Sequence, residues 1–391
     1  MNILKKIPFY GRILLLFPVL VADSKIKGLK DRCRELEKDR LSFLEQIVSE
    51  VEEPFKDQAG EYLRGIADRL DPIFYRRWKG AVTRYYIKPH FENIFVEGTE
   101  NLSQREDEIL VIVSRHFSLD DFMIQGTTLY NNNIEPPVFS AGANLLGTVL
   151  RDVLKGWGAA SIERDKKRDR LYLEMVKLYF THALASGRNA VIYPEEGRSR
   201  NGKMRPLKSG LLNSVIDAFS VSSNKRYKII PAAVSYERIR EDSVMIRTGT
   251  SGKRKGIIRR ALDLYDLHKY LGAECGNAYV RFGEPFYLND LAVAEKDGRA
   301  LLPILRKELQ ERLKKAVKIP ISAMIAYSKR EGIDFRTVVR TLDGKADIDH
   351  PLLRIRPGYI QSQYLKKPYV KRMLKDERLI NFYANLVEDV L

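Results

Sequence analysis

The sequence predicts an α/β fold, a mostly parallel sheet covered by helices, with an N-terminal helical extension and a C-terminal helical tail. Three observations predict it. Short runs of apolar β-formers recur between residues 109 and 282. Longer stretches with helical spacing lie between those runs, and this alternation needs right-handed crossovers that place helices on both faces. Hydrophobic residues make up 44% of the 391-residue chain, enough for a sizeable core, which excludes wholesale disorder.

The elements follow in chain order. Residues 23–92 are highly charged, and Leu36, Phe43, Leu44, Ile47 and Val51 recur at helical spacing, so this region reads as one or two amphipathic helices capping the main domain. Strands are expected near 109–114, 137–140, 158–163, 189–193, 228–234 and 278–282. Helices are expected over 120–130, 144–156, 168–186 and 207–221, with a long basic helix over 295–318. Residues 321–391 carry Pro351, Pro357 and Pro368 among basic and aromatic residues and read as a helical tail; the main domain is placed at 93–320. In such a sheet, function sits where strands end and helices begin.

The formal charge of +17 and a pI of about 9.6 call for a polyanionic partner, either nucleic acid or an anionic membrane face. Aromatic and basic residues do not interleave in any RNA-binding motif, which argues against nucleic acid. Cys33 and Cys275 form no disulfide framework and no metal-ligand spacing, so no metal is expected. Residues 1–22 are set apart. Ile7 to Ala22 is an apolar run preceded by Lys5 and Lys6 and interrupted by Pro8, Arg12 and Pro18. It is shorter than the roughly 20 residues a membrane span needs. A cleaved signal peptide, a core segment and a helix lying in the headgroup region all fit; the last is preferred, because Lys25, Lys27, Lys30 and Arg32 would then lie over anionic lipid.

Two segments carry chemistry. The run Ile109–Val113 leads into Ser114-Arg115-His116, with Asp120 and Asp121 just beyond. An imidazole held at a strand end can accept a proton at neutral pH when a carboxylate fixes its tautomer. Helical geometry favours Asp120 at i+4, whereas a turn before the helix lets Asp121 reach back, and spacing leaves the choice open. The second segment follows Ala190–Tyr193: Glu195-Glu196-Gly197-Arg198-Ser199-Arg200-Asn201-Gly202-Lys203. Its cations repel one another unless an anion or solvent relaxes them, and its glycines let backbone approach a ligand, so a solvated basic turn and a phosphate site both fit. The order of a Walker A loop is absent. Two lesser segments are Gly158 to Arg164 and an apolar run broken by Pro231.

Taken in order, these segments resemble the glycerolipid acyltransferases, specifically the bacterial membrane-type glycerol-3-phosphate acyltransferases and their dihydroxyacetone-phosphate relatives. The resemblance runs from about Phe95 to Asp290. It rests on Val96-Glu97-Gly98, the His116-x4-Asp121 block, Ala141 to Leu145, Gly158 to Arg164, Glu195 to Lys203 with Pro206 to Leu212, Pro231 with Tyr236-Glu237, and Phe282-Gly283-Glu284-Pro285. It implies a glycerolipid acyltransferase-like fold and acyl transfer from acyl-CoA or acyl-carrier protein to glycerol 3-phosphate, without a cofactor, at the cytoplasmic face of the cell membrane. His116 would be the base and Asp121 its partner. Arg164, Arg198, Ser199 and Lys203 would bind phosphate, Glu195 and Gly197 would shape the acceptor pocket, and Pro231 would line the acyl side. A lysophosphatidate acyltransferase and a non-catalytic basic lipid-binding protein are the alternatives. The chain differs from the family in having Glu196 in the third block, Ala160-Ser161 in place of an aromatic pair, and Glu163 before Arg164. These differences bear on acyl-chain fit and acceptor rather than on the reaction.

Overall fold

The computed structural model describes residues 29–71, 75, 79–80, 82–142, 154–166, 168–222, 224–248, 274–294, 301–345, 347–348 and 352–391. Eight strands form the central sheet: β1 (Ile94–Glu97), β2 (Glu108–Ser114), β3 (Val138–Gly142), β4 (Ala159–Ile162), β5 (Ala190–Ile192), β6 (Arg226–Tyr236), β7 (Ala278–Phe282) and β8 (Phe286–Tyr287). Their order is β1-β7-β6-β2-β5-β3-β4, with β8 beside the first half of β6. Neighbours run parallel, except that β7 and β8 run antiparallel to β6. The mostly parallel sheet expected from the sequence is therefore present. β1 and β8 were not expected; at four and two residues they are too short to show a periodic pattern.

The helices, in chain order, are α1 (Leu29–Ser49), α2 (Lys56–Ile66), α3 (Asp121–Asn131), α4 (Arg170–Ala185), α5 (Gly210–Val221), α6 (Asp242–Thr248) and α7 (Leu288–Ala294). They continue with α8 (Leu301–Ala316), α9 (Ile321–Glu331), α10 (Phe335–Leu342), α11 (Pro357–Lys366), α12 (Pro368–Met373) and α13 (Glu377–Glu388). The expected helix over 144–156 and the start of the one over 295–318 fall mostly outside the described residues, as does the apolar run Ile7 to Ala22. Among the described residues, no helix is long and apolar enough to cross a membrane.

Every residue of β2 is buried, so it needs cover on both faces. Period-two alternation supplies it: Leu110 and Ile112 enter one apolar cluster, and Ile109, Val111 and Val113 enter the other. The second cluster is closed by Leu44 and Ile47 of α1, Leu63 and Ile66 of α2, and the buried faces of α4, α5 and α8. In α8 the stripe is Leu301, Leu305, Leu309 and Leu313, one residue per turn. The first cluster is closed by α3 and by α9 to α13. Proline opens several of these C-terminal helices, with Pro320 at the N-cap of α9 and Pro357 and Pro368 leading α11 and α12. A fixed φ and a missing N–H are tolerated at those positions.

Two features of β6 decide where the C-terminal helices sit. Pro231 lies inside the strand, where its lack of an N–H should interrupt pairing. It stands at a seam: β8 pairs with Lys228 and Ile229, and β7 pairs from Ala232 onward. Its carbonyl accepts from the Gly283 amide at 2.7 Å, closing the bend between β7 and β8. Beyond the strand, Glu237 is buried, and its carboxylate accepts from the Ile321 and Ser322 amides at the N-terminus of α9, at 3.3 and 2.9 Å. A carboxylate there satisfies orphan amides and suits the helix dipole.

The last helix reaches the loop after β5. Asn385 donates to the Asn201 carbonyl at 2.7 Å, and Gly202 has φ of 86°. A Cβ at Gly202 would lie 2.1 Å from the Phe382 carbonyl oxygen, whereas one at Gly187, with φ of 97°, would meet nothing within 4 Å. Gly187→Ala should cost about 1 kcal/mol of backbone strain. Gly202→Ala should lower the urea midpoint clearly further, and equal shifts would show that the contact with α13 yields freely.

Candidate active site

Arg115 extends the β2–β6 ladder, donating its amide to Ala232 at 3.0 Å, and the chain then turns before α3. The turn answers the question that spacing left open. His116 Nδ1 lies 2.8 Å from Asp121 Oδ2, and the same oxygen accepts from the Phe117 and Ser118 amides at 2.8 and 3.0 Å. Oδ1 accepts from the Tyr236 hydroxyl at 2.6 Å. Burial, then the Asp121 and Asp120 charges, pushes that hydroxyl well above its usual range, so it is the donor. With the carboxylate accepting, Nδ1 carries the proton and Nε2 presents its lone pair. The histidine side chain is 18% exposed and Asp121 is fully buried. The Tyr193 ring lies against the imidazole at 4.6 Å between centroids. Its hydroxyl donates to Gln125 at 2.9 Å, and Gln125 in turn donates to Ser114 at 2.6 Å. The imidazole is thus fixed by a carboxylate at one nitrogen and by a tethered ring along its face.

Asp120 takes a different partner. It is buried at the N-cap of α3 and is gripped by Arg240, at 2.6 Å through Nη2 and 3.2 Å through Nε. Beside it lies Glu241, which accepts from Arg198 Nη1 at 2.7 Å, from the Leu119 amide at 2.7 Å and from the Ser118 hydroxyl at 3.1 and 3.0 Å. Burial would raise the Glu241 carboxyl, but the Arg198 and Arg240 guanidiniums hold it below its ordinary value.

The loop after β5 is bracketed to the histidine turn by Glu195. This carboxylate is wholly buried. Oε1 accepts from Arg115 Nε at 3.0 Å and from the His116 amide at 3.2 Å, and Oε2 accepts from the Arg205 amide at 2.8 Å. Ser199 adds a second tie, its amide donating to the His116 carbonyl at 3.0 Å. Arg115 also reaches Asp389 beyond α13 at 3.1 Å, and the same Asp389 oxygen accepts from the Met204 amide at 2.9 Å. At Gly197, with φ of 145°, a Cβ would lie 2.7 Å from Arg205 Nη1.

The structure thus brings His116, Asp121, Glu195, Gly197, Arg198 and Ser199 together at one end of the sheet. The Ser199 hydroxyl donates to the Lys203 carbonyl at 2.7 Å, and the Lys203 ammonium reaches Glu388 at 2.8 Å, on the outer side of the loop against α13. Pro231 is buried in β6, in register with Val113. Arg164 follows β4 at the sheet edge. Because β2, β5, β3 and β4 are parallel, its backbone lies at the same end as His116. Tyr193, Tyr236, Glu241, Arg115 and Asp389 join the site without having been singled out as site residues from the sequence. Among the described residues, no group of three or more His, Cys, Asp or Glu is arranged to hold a metal ion.

Known proteins match this part of the chain. A family model described as Acyltransferase matches residues 93–235. A glycerol-3-phosphate acyltransferase of Pseudoalteromonas atlantica is 25% identical over 279 residues, which is 71% of this chain and 32% of that protein. Those of Pseudomonas paraeruginosa and Pseudomonas fluorescens are 28% identical over 197 and 206 residues, or 50% and 52% of this chain and 23% and 24% of theirs. The chain therefore spans about a third or less of the length of the curated relatives it matches. A solved 1-acyl-sn-glycerophosphate acyltransferase of Thermotoga maritima aligns over 78% of this chain and 88% of its own at 14% identity, with a TM-score of 0.37. Residues 93–235 thus match the acyltransferase family model, and they include the strands and loops that carry His116, Asp121, Glu195 and Arg198.

Proposed function

We propose that the chain transfers a fatty acyl group from a thioester, acyl-CoA or acyl-carrier protein, to the sn-1 hydroxyl of glycerol 3-phosphate, giving lysophosphatidate. The observation that carries this reading is the His116–Asp121 dyad, tied by Glu195 to a loop bearing Arg198. His116 Nε2 takes the proton of the acceptor hydroxyl as its oxygen attacks the thioester carbonyl. Asp121 steadies the imidazolium that forms. When the tetrahedral intermediate collapses, the C–S bond breaks and the departing thiolate takes the proton back from the imidazolium. No acyl-enzyme is required. Cys275 supports that economy, since burial pushes its thiol up to about 12 and so keeps it protonated. Arg198, with Arg164, Ser199 and Lys203, is assigned to the acceptor phosphate, Glu195 and Gly197 to the shape of its pocket, and Pro231 to the acyl side.

The membrane is the proposed place of work, with peripheral attachment at the cytoplasmic face. The +17 charge supports it, as does the apolar segment within residues 1–22. Ile355 and Tyr359, exposed to 73% and 55% and flanked by Arg354 and Arg356, add a surface of the kind that settles among headgroups.

Labelled acyl-CoA supplied in parallel with glycerol 3-phosphate, dihydroxyacetone phosphate and lysophosphatidate tests the reaction; turnover only with lysophosphatidate would displace this reading. His116→Ala and Asp121→Asn should each lose about 10²–10⁴-fold in turnover. Asp120→Asn should instead keep its chemistry and lose stability, by about 1–3 kcal/mol, because the two bonds from Arg240 lose their charged acceptor while Glu241 remains beside the guanidinium. The opposite division between the two aspartates would overturn the assignment of the base's partner. Arg198→Lys keeps charge but loses the fork, so the acceptor KM should rise roughly ten-fold while the donor KM holds. A rise in the donor constant alone would put the coenzyme phosphates at this loop. Sedimentation with anionic vesicles should weaken with salt and weaken further on deletion of residues 1–22; binding indifferent to both would remove the membrane assignment.

A further inference from the structure

We propose that Glu241 is a positioning residue, which aims Arg198 at the acceptor phosphate and couples it to the turn that carries His116. This rests on the acceptor reading given above. Glu241 lies beyond residues 93–235, the segment shared with the acyltransferase family model, and no motif in the sequence marks it.

The geometry is that of a bracket between two loops. One carboxylate accepts from Arg198 Nη1 on the loop after β5, and from the Leu119 amide and Ser118 hydroxyl on the turn after β2. Ser118 is itself one of the two backbone donors to Asp121, and its hydroxyl accepts from the Asp120 amide at 3.1 Å. Four residues, Ser118 to Asp121, are therefore within one or two hydrogen bonds of Glu241. The other loop is reached through a guanidinium that is only partly exposed, at 24%.

Arginine has five N–H donors, and the bond to Glu241 uses one nitrogen. The remaining edge of the fork can grip a phosphate while Glu241 holds the other end. A long side chain ordered before the ligand arrives loses less freedom on binding. If the residue only braced the turn, a neutral acceptor would serve, and the cost of burying a charge would be avoided. The charge is explained by its partners, Arg198 and the nearby Arg240, which together keep it ionised. The other charged groups facing Glu241 are Asp120, held by Arg240, and Asp121, held by His116 and Tyr236.

Glu241→Gln tests this with full-length protein, acyl-CoA and glycerol 3-phosphate. The acceptor KM should rise about ten-fold, the loss of roughly one charge-assisted bond, while kcat and the donor KM change less than about three-fold. Glu241→Gln added to Arg198→Lys should raise the acceptor KM little beyond the single Arg198 variant, because both act through the same guanidinium. Additive effects would overturn the proposal, as would equal rises in both Michaelis constants, a fall in kcat alone, or a lower acceptor KM, which would mean that Glu241 competes with phosphate. If Glu241→Gln does not fold, Glu241→Asp carries the same test: its shorter reach should raise the acceptor KM a few-fold, with the same lack of additivity. The reading of the acceptor fails separately, and takes this proposal with it, if Arg198→Lys alone leaves the acceptor KM unchanged.

Discussion

The ion pair between Arg115 and Glu195 joins the ends of β2 and β5, and the site is built around that join. Both side chains are excluded from solvent, at 1% and 0% exposure. Charges so placed are costly to desolvate, and removal of one partner strands the other, a loss of about 3–5 kcal/mol. Such a pair persists when most of its other donors and acceptors are also used; here Arg115 Nη2 is left buried without a hydrogen-bond partner among the described residues. Here Glu195 further takes the His116 and Arg205 amides, while Arg115 takes Asp389 and lies over the Phe117 ring at 4.7 Å. His116 thus hangs from a carboxylate belonging to the neighbouring loop. The two loops cannot move apart without exposing both charges.

The C-terminal helices complete that arrangement. β6 delivers Glu237 to the N-terminus of α9, and α13 comes back across the loop after β5. Its end supplies Asp389 to Arg115 and Met204, and Glu388 to Lys203 and Arg330. The Tyr383 hydroxyl accepts from the Ile239 amide and donates to Asp242. A segment that closes one face of the sheet also tightens the loops at its end, so core packing and site geometry rest on the same helices.

Much of this was legible in the sequence, and the parts that were not share a cause. The six longer apolar runs marked strands because burial on both faces of a parallel sheet leaves consecutive apolar residues. His116 and the Glu195–Lys203 loop were visible because they directly follow such runs. The choice between Asp120 and Asp121 was hidden, because it depends on whether the helix starts before or after the histidine; it starts at Asp121, and i+5 reaches back. Tyr236, Glu241 and Asp389 were hidden for a different reason. They meet the turn only through pairings more than a hundred residues apart in sequence, and no local spacing encodes those. The bonds of Glu195 to Arg115 and to the His116 and Arg205 amides were hidden as well, since they join segments that local spacing does not connect.

Electrostatic balance gives these contacts a common logic. Four buried carboxylates lie around His116: Asp120, Asp121, Glu195 and Glu241. Three have an arginine each, namely Arg240, Arg115 and Arg198. Asp121 has none; its partners are neutral donors, two amides and a tyrosine hydroxyl, together with the imidazole. The full counter-charge for Asp121 is thus supplied only when His116 takes up a proton. A base whose protonated form completes the local pairing is stabilised at the moment its charge appears, with no dipole left to reorient. Were Asp121 paired with an arginine as its neighbours are, the imidazolium would gain far less from it. The arginines therefore set the surroundings of His116 as much by where they are absent as by the loops they hold.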